Sequence, residues 1–400
     1  MRRILFVHDQ QEVLDSHRES LKKYGGQVEP MFALGVEAAL ESARSAPIDV
    51  VVADLHMRHM DGPGLLRKMK EQHPDIIRLI LCGQQEFDSI FVALPTAHQI
   101  IAKPLDVEIL LNIVERTCRL RELLTDSLRK KIGGVEQLPS VPTVYLELTR
   151  AMSDPNVTNP KIARIIAKDP PMAARTLQLV NSACFGLAKQ ITSLDTAIAF
   201  LGMDLIKNLS LAVHIFAALE GLAVRSYFSF DAEQQHSLIT AKVAKRLVSG
   251  RRQSQNAFTA ALLHDIGKLV LAVCIPEKFI KIQLASKASR RSLHEIEAEM
   301  LAVTHAEVGA YLLSLWGLPY PIVEAVAYHH NPSAALERTF DVPTAVAVAN
   351  ALVDDAEGNP PIAIAEHLQS LAMIDELPAW TAIAHEELER LRPSASVTIQ

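Results

Sequence analysis

No C-x-x-C pair occurs in these 400 residues, and the four cysteines, Cys82, Cys118, Cys184 and Cys274, stand far apart. That argues against a cysteine zinc site and a disulfide framework, and it fits a reducing cytoplasm. Net positive charge is also lacking. The formal charge is −6, so bulk nucleic-acid binding is not expected, and the runs Arg129-Lys130-Lys131 and Arg251-Arg252 read as solvated faces. No stretch approaches the roughly 18 apolar residues of a membrane span, so no membrane partner is expected. The apolar run in MRRILFVHDQQ is too short for a signal peptide. Aromatic residues make up 5% of the chain against 49% hydrophobic, which leaves the core to Ala, Leu, Ile and Val. A chain of this length is expected to form two or three domains.

The first hundred residues alternate. RILFV (3–7), DVVVA (49–53), RLILC (78–82) and QIIA (99–102) are short apolar runs rich in β-branched residues. Helical stretches such as QEVLDSHRESLKKY (11–24) and GPGLLRKMKEQ (62–72) lie between them. That alternation implies a parallel sheet covered on both faces, with polar groups gathered where strands end. His8-Asp9, Asp54 and Lys103 fall at such ends. A carboxylate nucleophile needs a cation to neutralise phosphoryl oxygens, and Mg²⁺ favours oxygen ligands. A lysine adds a compact positive charge from the other side.

The stretches LFVHDQ, VVADLHMRHMDG, LILCGQ and AKP resemble the receiver domain of two-component response regulators. The resemblance implies that Asp54 accepts phosphate from a sensor histidine kinase, with Asp9 binding Mg²⁺ and Lys103 pairing with the phosphoryl group. It also marks departures. His8 replaces the first of two acids, Cys82 stands where a hydroxyl is usual, Ile100 replaces an aromatic residue and Arg58 replaces a proline. A thiol is a weak donor, and imidazole is a poor ligand for a hard cation.

LDVEILLNIVERTCRLRELLTDSLRKKIGG (105–134) has no internal glycine or proline before Gly133-Gly134. Its apolar residues recur at spacings near three and four, which predicts one amphipathic helix of about 25 residues. Such a helix could zip against a second copy, giving a homodimer, or lie on its own chain. From Leu138 onward the pattern is wholly helical. Ser193 precedes LDTAIAFLG, closed by Gly202, and Asp204 precedes LIKNLSLAVHIF.

Within that half, ALLHDIGKLVL sets His264 and Asp265 side by side in an apolar helix, where an unpaired carboxylate is costly. His236, His305, His329 and His330 lie on other predicted helices. LPSVPTVYLELTRAM, IIAKDPPMAARTLQLVNSACFG, ITSLDTAIAFLGMDLIKNL, ALLHDIGKLVL, HAEVGAYLLSLWGLP and AVAYHH resemble the HDOD domain, a helical relative of the HD phosphohydrolases. Resemblance to the cyclic di-GMP phosphodiesterases of that superfamily implies a metal set of His236, His264, Asp265, His305, His329 and His330. Asp265 would bridge two ions, and Lys268 would face substrate phosphate if the protein is a hydrolase. Imidazole and carboxylate suit Fe, Mn or Zn. Two features depart from that branch: no Gly-Tyr-Pro follows the histidine pair, and Asn350, a weaker ligand, stands for its later aspartate.

The expected fold class is α/β followed by all-α. A doubly wound five-stranded receiver domain (1–120) leads through a long linker helix (121–137) to a helical HDOD domain (138–335) and a helical extension (336–400). The expected function is a phosphorylation-responsive regulator acting through contacts with a downstream signalling protein. The alternative is a metal-dependent phosphodiesterase acting on cyclic dinucleotides.

Overall fold

The computed structural model describes residues 1–57, 61–83, 93, 96–135, 142–152, 154, 156–181, 187, 189–202, 206, 228–335, 339–354 and 362–390. Arg58, Cys184, Asp204, most of NSACFG and LIKNLSLAVHIF, and residues 138–141 of LPSVP lie outside them. The chain divides into two compact units. The first is Met1–Glu136 with Gln178–Gln190 and Tyr311–Leu318; the second is Gln137–Leu177, Ile191–Ala310 and Pro319–Gln400.

The first unit is built on strands β1 (Arg2–His8), β2 (Val28–Leu34), β3 (Val50–Asp54), β4 (Ile77–Cys82) and β5 (Gln99–Ala102). All pair in parallel, in the order β2-β1-β3-β4-β5. Every residue of β3 and β4 is buried, Arg78 and Asp54 included, and their otherwise apolar runs suit strands covered on both faces. β2 is the least buried strand. Its sequence VEPMFAL is only partly buried, and Pro30 is tolerated because this strand is at the edge. Helices α1 (Gln11–Leu21), α2 (Gly35–Ser45) and α3 (Gly62–Gln72) alternate with the strands, and α4 (Val107–Glu122) follows the sheet. The strand order reverses between β1 and β3, which opens a crevice at their carboxyl ends. Gly62 lets α3 start there, since a Cβ would stand 2.2 Å from the Asp54 carbonyl oxygen.

The connector is two helices, not one. α4 ends at Glu122 and α5 (Asp126–Gly133) restarts after Thr125, whose backbone is extended, with Asp126 in its first turn. Arg129 Nε–H donates to the Arg121 carbonyl at 2.8 Å, folding α5 back on the end of α4. Leu124 and Leu128 are buried in their own chain, whereas Ile109 and Leu123 stay exposed.

The second unit is helical in all its described elements. They are α6 (Pro142–Met152), α7 (Asn159–Ile166), α8 (Pro170–Val180), α9 (Leu194–Leu201), α10 (Phe230–Leu247), α11 (Arg251–Leu263), α12 (Ile266–Cys274), α13 (Pro276–Ser289), α14 (Leu293–Leu301), α15 (His305–Leu315), α16 (Tyr320–Tyr328), α17 (Val342–Asp354), α18 (Ile362–Ser370) and α19 (Leu377–Glu389). The last residues of α8 and α15 belong to the first unit. α9 starts after Ser193 and ends at Gly202, as its sequence predicts. α10, α11, α16 and α17 pack on one another as its centre. α17 is buried from Val342 to Leu352, which carries Asn350 inside with its apolar neighbours. Contrary to the sequence expectation, Arg251–Cys274 is long and apolar enough to resemble a membrane span. It is broken at His264-Asp265 and most of its apolar part is buried against this chain, as in a core helix.

Candidate functional site

Two clusters gather the residues singled out by sequence. In the first unit, an open cleft of about 490 Å³ is lined by His8, Asp9, Gln10, Val13, Asp54, His56, Met57 and Lys103. Asp54, buried at the end of β3, accepts the His56 backbone N–H on Oδ1 at 3.0 Å. Its Oδ2 lies 2.5 Å from Lys103 Nζ and 3.0 Å from His8 Nε2. His8 Nδ1 accepts the Gln10 N–H at 3.0 Å, so the proton of the neutral ring sits on Nε2, facing Asp54. Asp9 Oδ1 is 3.2 Å from His8 Nδ1. The replacement of an acid by His8 is therefore felt directly at the nucleophile. Asp9 and Asp54 fit a hard cation, provided His8 gives up its bond to Asp54. Cys82 is buried, gives its thiol to the Gly83 carbonyl at 3.4 Å, and is not among the lining residues.

In the second unit, the chain breaks between α11 and α12 at His264-Asp265, which turns both side chains inward. α12 crosses α15 at two glycines: a Cβ on Gly267 would stand 1.9 Å from the His305 carbonyl oxygen, and Gly309 packs on Gly267 in turn. That close approach brings His305 Nε2 to 3.1 Å from Asp265 Oδ1. α16 ends at the histidine pair, with His329 Nε2 3.8 Å from the same oxygen. Asp265 Oδ2 faces the other way, 3.0 Å from His264 Nε2 and 3.6 Å from His236 Nε2. Asn350 Oδ1 lies 2.9 Å from each of those two nitrogens. All seven residues of the expected metal set are thus brought together, with Asp265 between two groups.

Three of the imidazoles are oriented in the same manner. His264 Nδ1 donates to the Ala261 carbonyl at 2.6 Å and His329 Nδ1 to the Val326 carbonyl at 2.8 Å. His305 Nδ1 donates to Glu297 Oε2 at 2.6 Å. Each bond fixes a proton on Nδ1 and leaves Nε2 facing the centre, the arrangement that a hydrogen-bond acceptor behind the ring imposes on metal-binding histidines. His329 Nε2 is buried with no hydrogen-bond partner, as befits a ligand atom. Ligand atoms of His305, His329 and His330 all lie within 4.8 Å of one another, as do those of His236, His264 and Asp265. This donor set fits a borderline divalent ion such as Fe, Mn or Zn.

Burial opposes charge on His305, but Glu297 and the bond to Asp265 outweigh it and hold its pKa up to about 9. Burial likewise opposes charge on His264, and Asp265 outweighs it, raising that pKa. His329 and His330 are driven well below their ordinary value, first by burial and then by neighbouring histidines. Burial works against ionised Asp265, yet His264 and Lys268 hold its carboxyl well below the usual range. Lys268, expected to face substrate phosphate, instead places Nζ 2.7 Å from Asp265 Oδ2 and 3.3 Å from Glu233 Oε2.

Sequence reasoning missed three participants. Glu297 is fully buried on α14 and also accepts the His305 backbone N–H at 2.8 Å. The available signal was its place on the inward stripe with Leu293, Ile296 and Leu301. His294, one turn earlier, stacks on His330 with ring centroids 3.9 Å apart. Glu233 is the third.

Models of two families match this chain: the response regulator receiver domain over residues 4–115 and the HDOD domain over 138–332. The chain belongs to the HDOD response regulators. An uncharacterized protein of Treponema pallidum (strain Nichols) is 26% identical over 62% of this chain and 48% of its own length. The DNA-binding transcriptional regulator NtrC of Escherichia coli (strain K12) is 33% identical over 21% of this chain and 18% of its own. The HDOD response regulator thus spans about half of the first of these relatives and less of the second. Among solved structures, a virulence factor of Campylobacter jejuni subsp. jejuni shares the fold at 22% identity and a TM-score of 0.52, over 66% of this chain and 97% of that one. The MmoQ response regulator of Methylococcus capsulatus str. Bath is 23% identical over 62% of this chain and 98% of that one, with a TM-score of 0.48.

Proposed function

We propose that this HDOD response regulator is a cytoplasmic adaptor. A sensor histidine kinase phosphorylates Asp54, and the HDOD domain answers through contacts with a downstream signalling protein. In the cleft, an Asp54 carboxylate oxygen forms the new bond to phosphorus while the donor's bond to phosphorus breaks. Lys103 pairs with the phosphoryl oxygens. Asp9 and Asp54 would hold Mg²⁺, which neutralises charge on those oxygens. His8 must first release Asp54, so the transfer is slow.

In the second unit the histidine centre binds a divalent transition ion without hydrolysing a phosphodiester. One observation carries this choice: Asn350 offers only a neutral carbonyl to the point that His236 and His264 face. A two-metal attack on phosphate needs both ions clamped, and the group with Asn350 holds its ion weakly. The second reading, a cyclic-dinucleotide phosphodiesterase, is favoured by the position of Asp265 between two histidine groups.

Elemental analysis and a cyclic di-GMP assay on the full chain, purified without chelators, separate the readings. The adaptor reading expects near-stoichiometric metal and no turnover. Hydrolysis at ordinary enzyme rates, lost in Asp265→Ala, would replace it with the phosphodiesterase.

A further inference from the structure

We propose that the histidine centre takes a single divalent ion, on the side of Asp265 that faces His305, His329 and His330, because Lys268 is the resident cation of the other side. The inference rests on the metal-binding reading above. Among the described residues, Asp265 is the only carboxylate that both groups of expected ligands share, and its two oxygens are not equivalent. Oδ1 faces His305 at 3.1 Å and His329 at 3.8 Å. Oδ2, the oxygen offered to His264 and His236, is the one that Lys268 Nζ approaches at 2.7 Å. A second ion drawing on Oδ2 would meet an ammonium already bonded there.

Glu233 keeps that ammonium in place. Its Oε2 lies 3.3 Å from Lys268 Nζ, so the lysine is held between carboxylates from α10 and the start of α12. The lysine side chain is only 16% exposed, so water screens it poorly. The remaining groups on this side, His236, His264 and Asn350, are all uncharged in their ligating forms and add no anion to hold a second dication. The Oδ1 side differs. Among the described residues no lysine or arginine bonds to that oxygen, and the buried His329 Nε2 there has no hydrogen-bond partner.

The charge balance gives the same result. With every histidine in its uncharged, ligating form, Asp265, Glu297 and Glu233 set against Lys268 leave two negative charges. Asp354, 3.7 Å from His236 Nδ1, is 62% exposed and largely solvated. One divalent ion neutralises the remainder. Two would leave two positive charges uncompensated in a buried region, where each is costly. Removing Lys268 and turning Asn350 into an acid would leave four negative charges, matched by two divalent ions.

The test uses the full chain, stripped of metal and reloaded with Mn²⁺. Metal per chain is read by mass spectrometry, and coupling between neighbouring ions by electron paramagnetic resonance. The wild type should hold one ion and show no Mn–Mn coupling, and Lys268→Arg should match it. Lys268→Gln, which keeps a donor to Asp265 but no charge, should bind a second ion at least about tenfold more tightly. The pair Lys268→Met with Asn350→Asp should hold two coupled ions. Should that pair fail to fold, Lys268→Gln decides alone. Two ions in the wild type, or no gain in second-ion affinity in Lys268→Gln, overturns the proposal and leaves the metal reading standing. No ion in any variant sinks the metal reading and this proposal together.

Discussion

Asp54 in the cleft and Asp265 in the histidine centre share their immediate partners. In each, Oδ2 meets a lysine ammonium, at 2.5 Å and 2.7 Å, and an imidazole Nε2, at 3.0 Å in both. The difference lies in the other oxygen and in the surroundings. Asp54 Oδ1 takes a backbone N–H, and Asp54, itself buried, lines an open cleft. Asp265 Oδ1 meets two buried imidazoles whose Nδ1 atoms are already committed, so their Nε2 atoms converge beside it. The same triad of side chains thus suits a nucleophile in one unit and a metal ligand in the other. The open cleft beside Asp54 and the partners of the second oxygen set the two apart.

The comparison breaks most visibly if the two aspartates are interchangeable in their effects. Asp265→Ala should abolish metal binding and leave buried Lys268 with Glu233 as its remaining carboxylate, at a cost of about 3 kcal/mol. Elemental analysis and urea denaturation measure both, and Asp54→Ala should leave the metal content unchanged. Equal losses from the two substitutions would erase the distinction.

A smaller effect is expected one step out from the ligands. Glu297→Gln weakens the hold on His305 and should lower metal affinity by about tenfold or more, without disturbing the cleft. Competition with a chromophoric chelator reads this, and unchanged affinity would reduce Glu297 to a packing role.

In the cleft, Mg²⁺ and a small phosphodonor should yield a hydroxylamine-labile adduct on Asp54, seen by intact mass. His8→Asp supplies a second hard ligand and removes the bond to Oδ2, so the adduct should form about tenfold faster. If neither protein gives an adduct while a competent receiver does, the cleft no longer accepts phosphate.

The smallest expected effect is on the pH dependence of the metal-free fold. His305, held up to about 9, binds its proton more tightly folded than unfolded. Its contribution is complete below about 6.5 and is lost as pH rises through about 9. His329 and His330 are shifted the other way, so stability also falls as pH drops below about 6.5, where the unfolded chain takes up protons that these rings refuse. Thermal melts in chelator from pH 5 to 10 should peak between those limits, and added metal should flatten the alkaline side. A peak that metal leaves unmoved would detach His305 from the centre.

Much of this arrangement was legible in the chain. LFVHDQ, VVADL and AKP place the cleft residues at strand ends, because a parallel sheet exposes its carboxyl edge. The pairs His264-Asp265 and His329-His330 stand out because charged and imidazole groups interrupt apolar helices. β2 was not legible as an apolar run, since an edge strand need not be apolar and Pro30 interrupts its pattern. Nor was the break at Thr125: a period near three and four continues across it, and only the bond from Arg129 to Arg121 shows the fold-back. Glu297 stands between Glu295 and Glu299 on one helix, and only its place on the stripe of Ile296 and Leu301 marks it as the one that is buried.

The sequence by itself determined the two fold types, the residues that make up the histidine cluster and the departures at His8 and Asn350, because periodicity and residue chemistry are local properties. The tertiary structure alone decided that Lys268 lies on Asp265 and Glu233, that Glu297 backs His305, and that the two oxygens of Asp265 face unlike surroundings. Those are questions of charge, and the energy of a charge depends on distance and on exclusion from water. Both are set by helices that come together from distant parts of the chain.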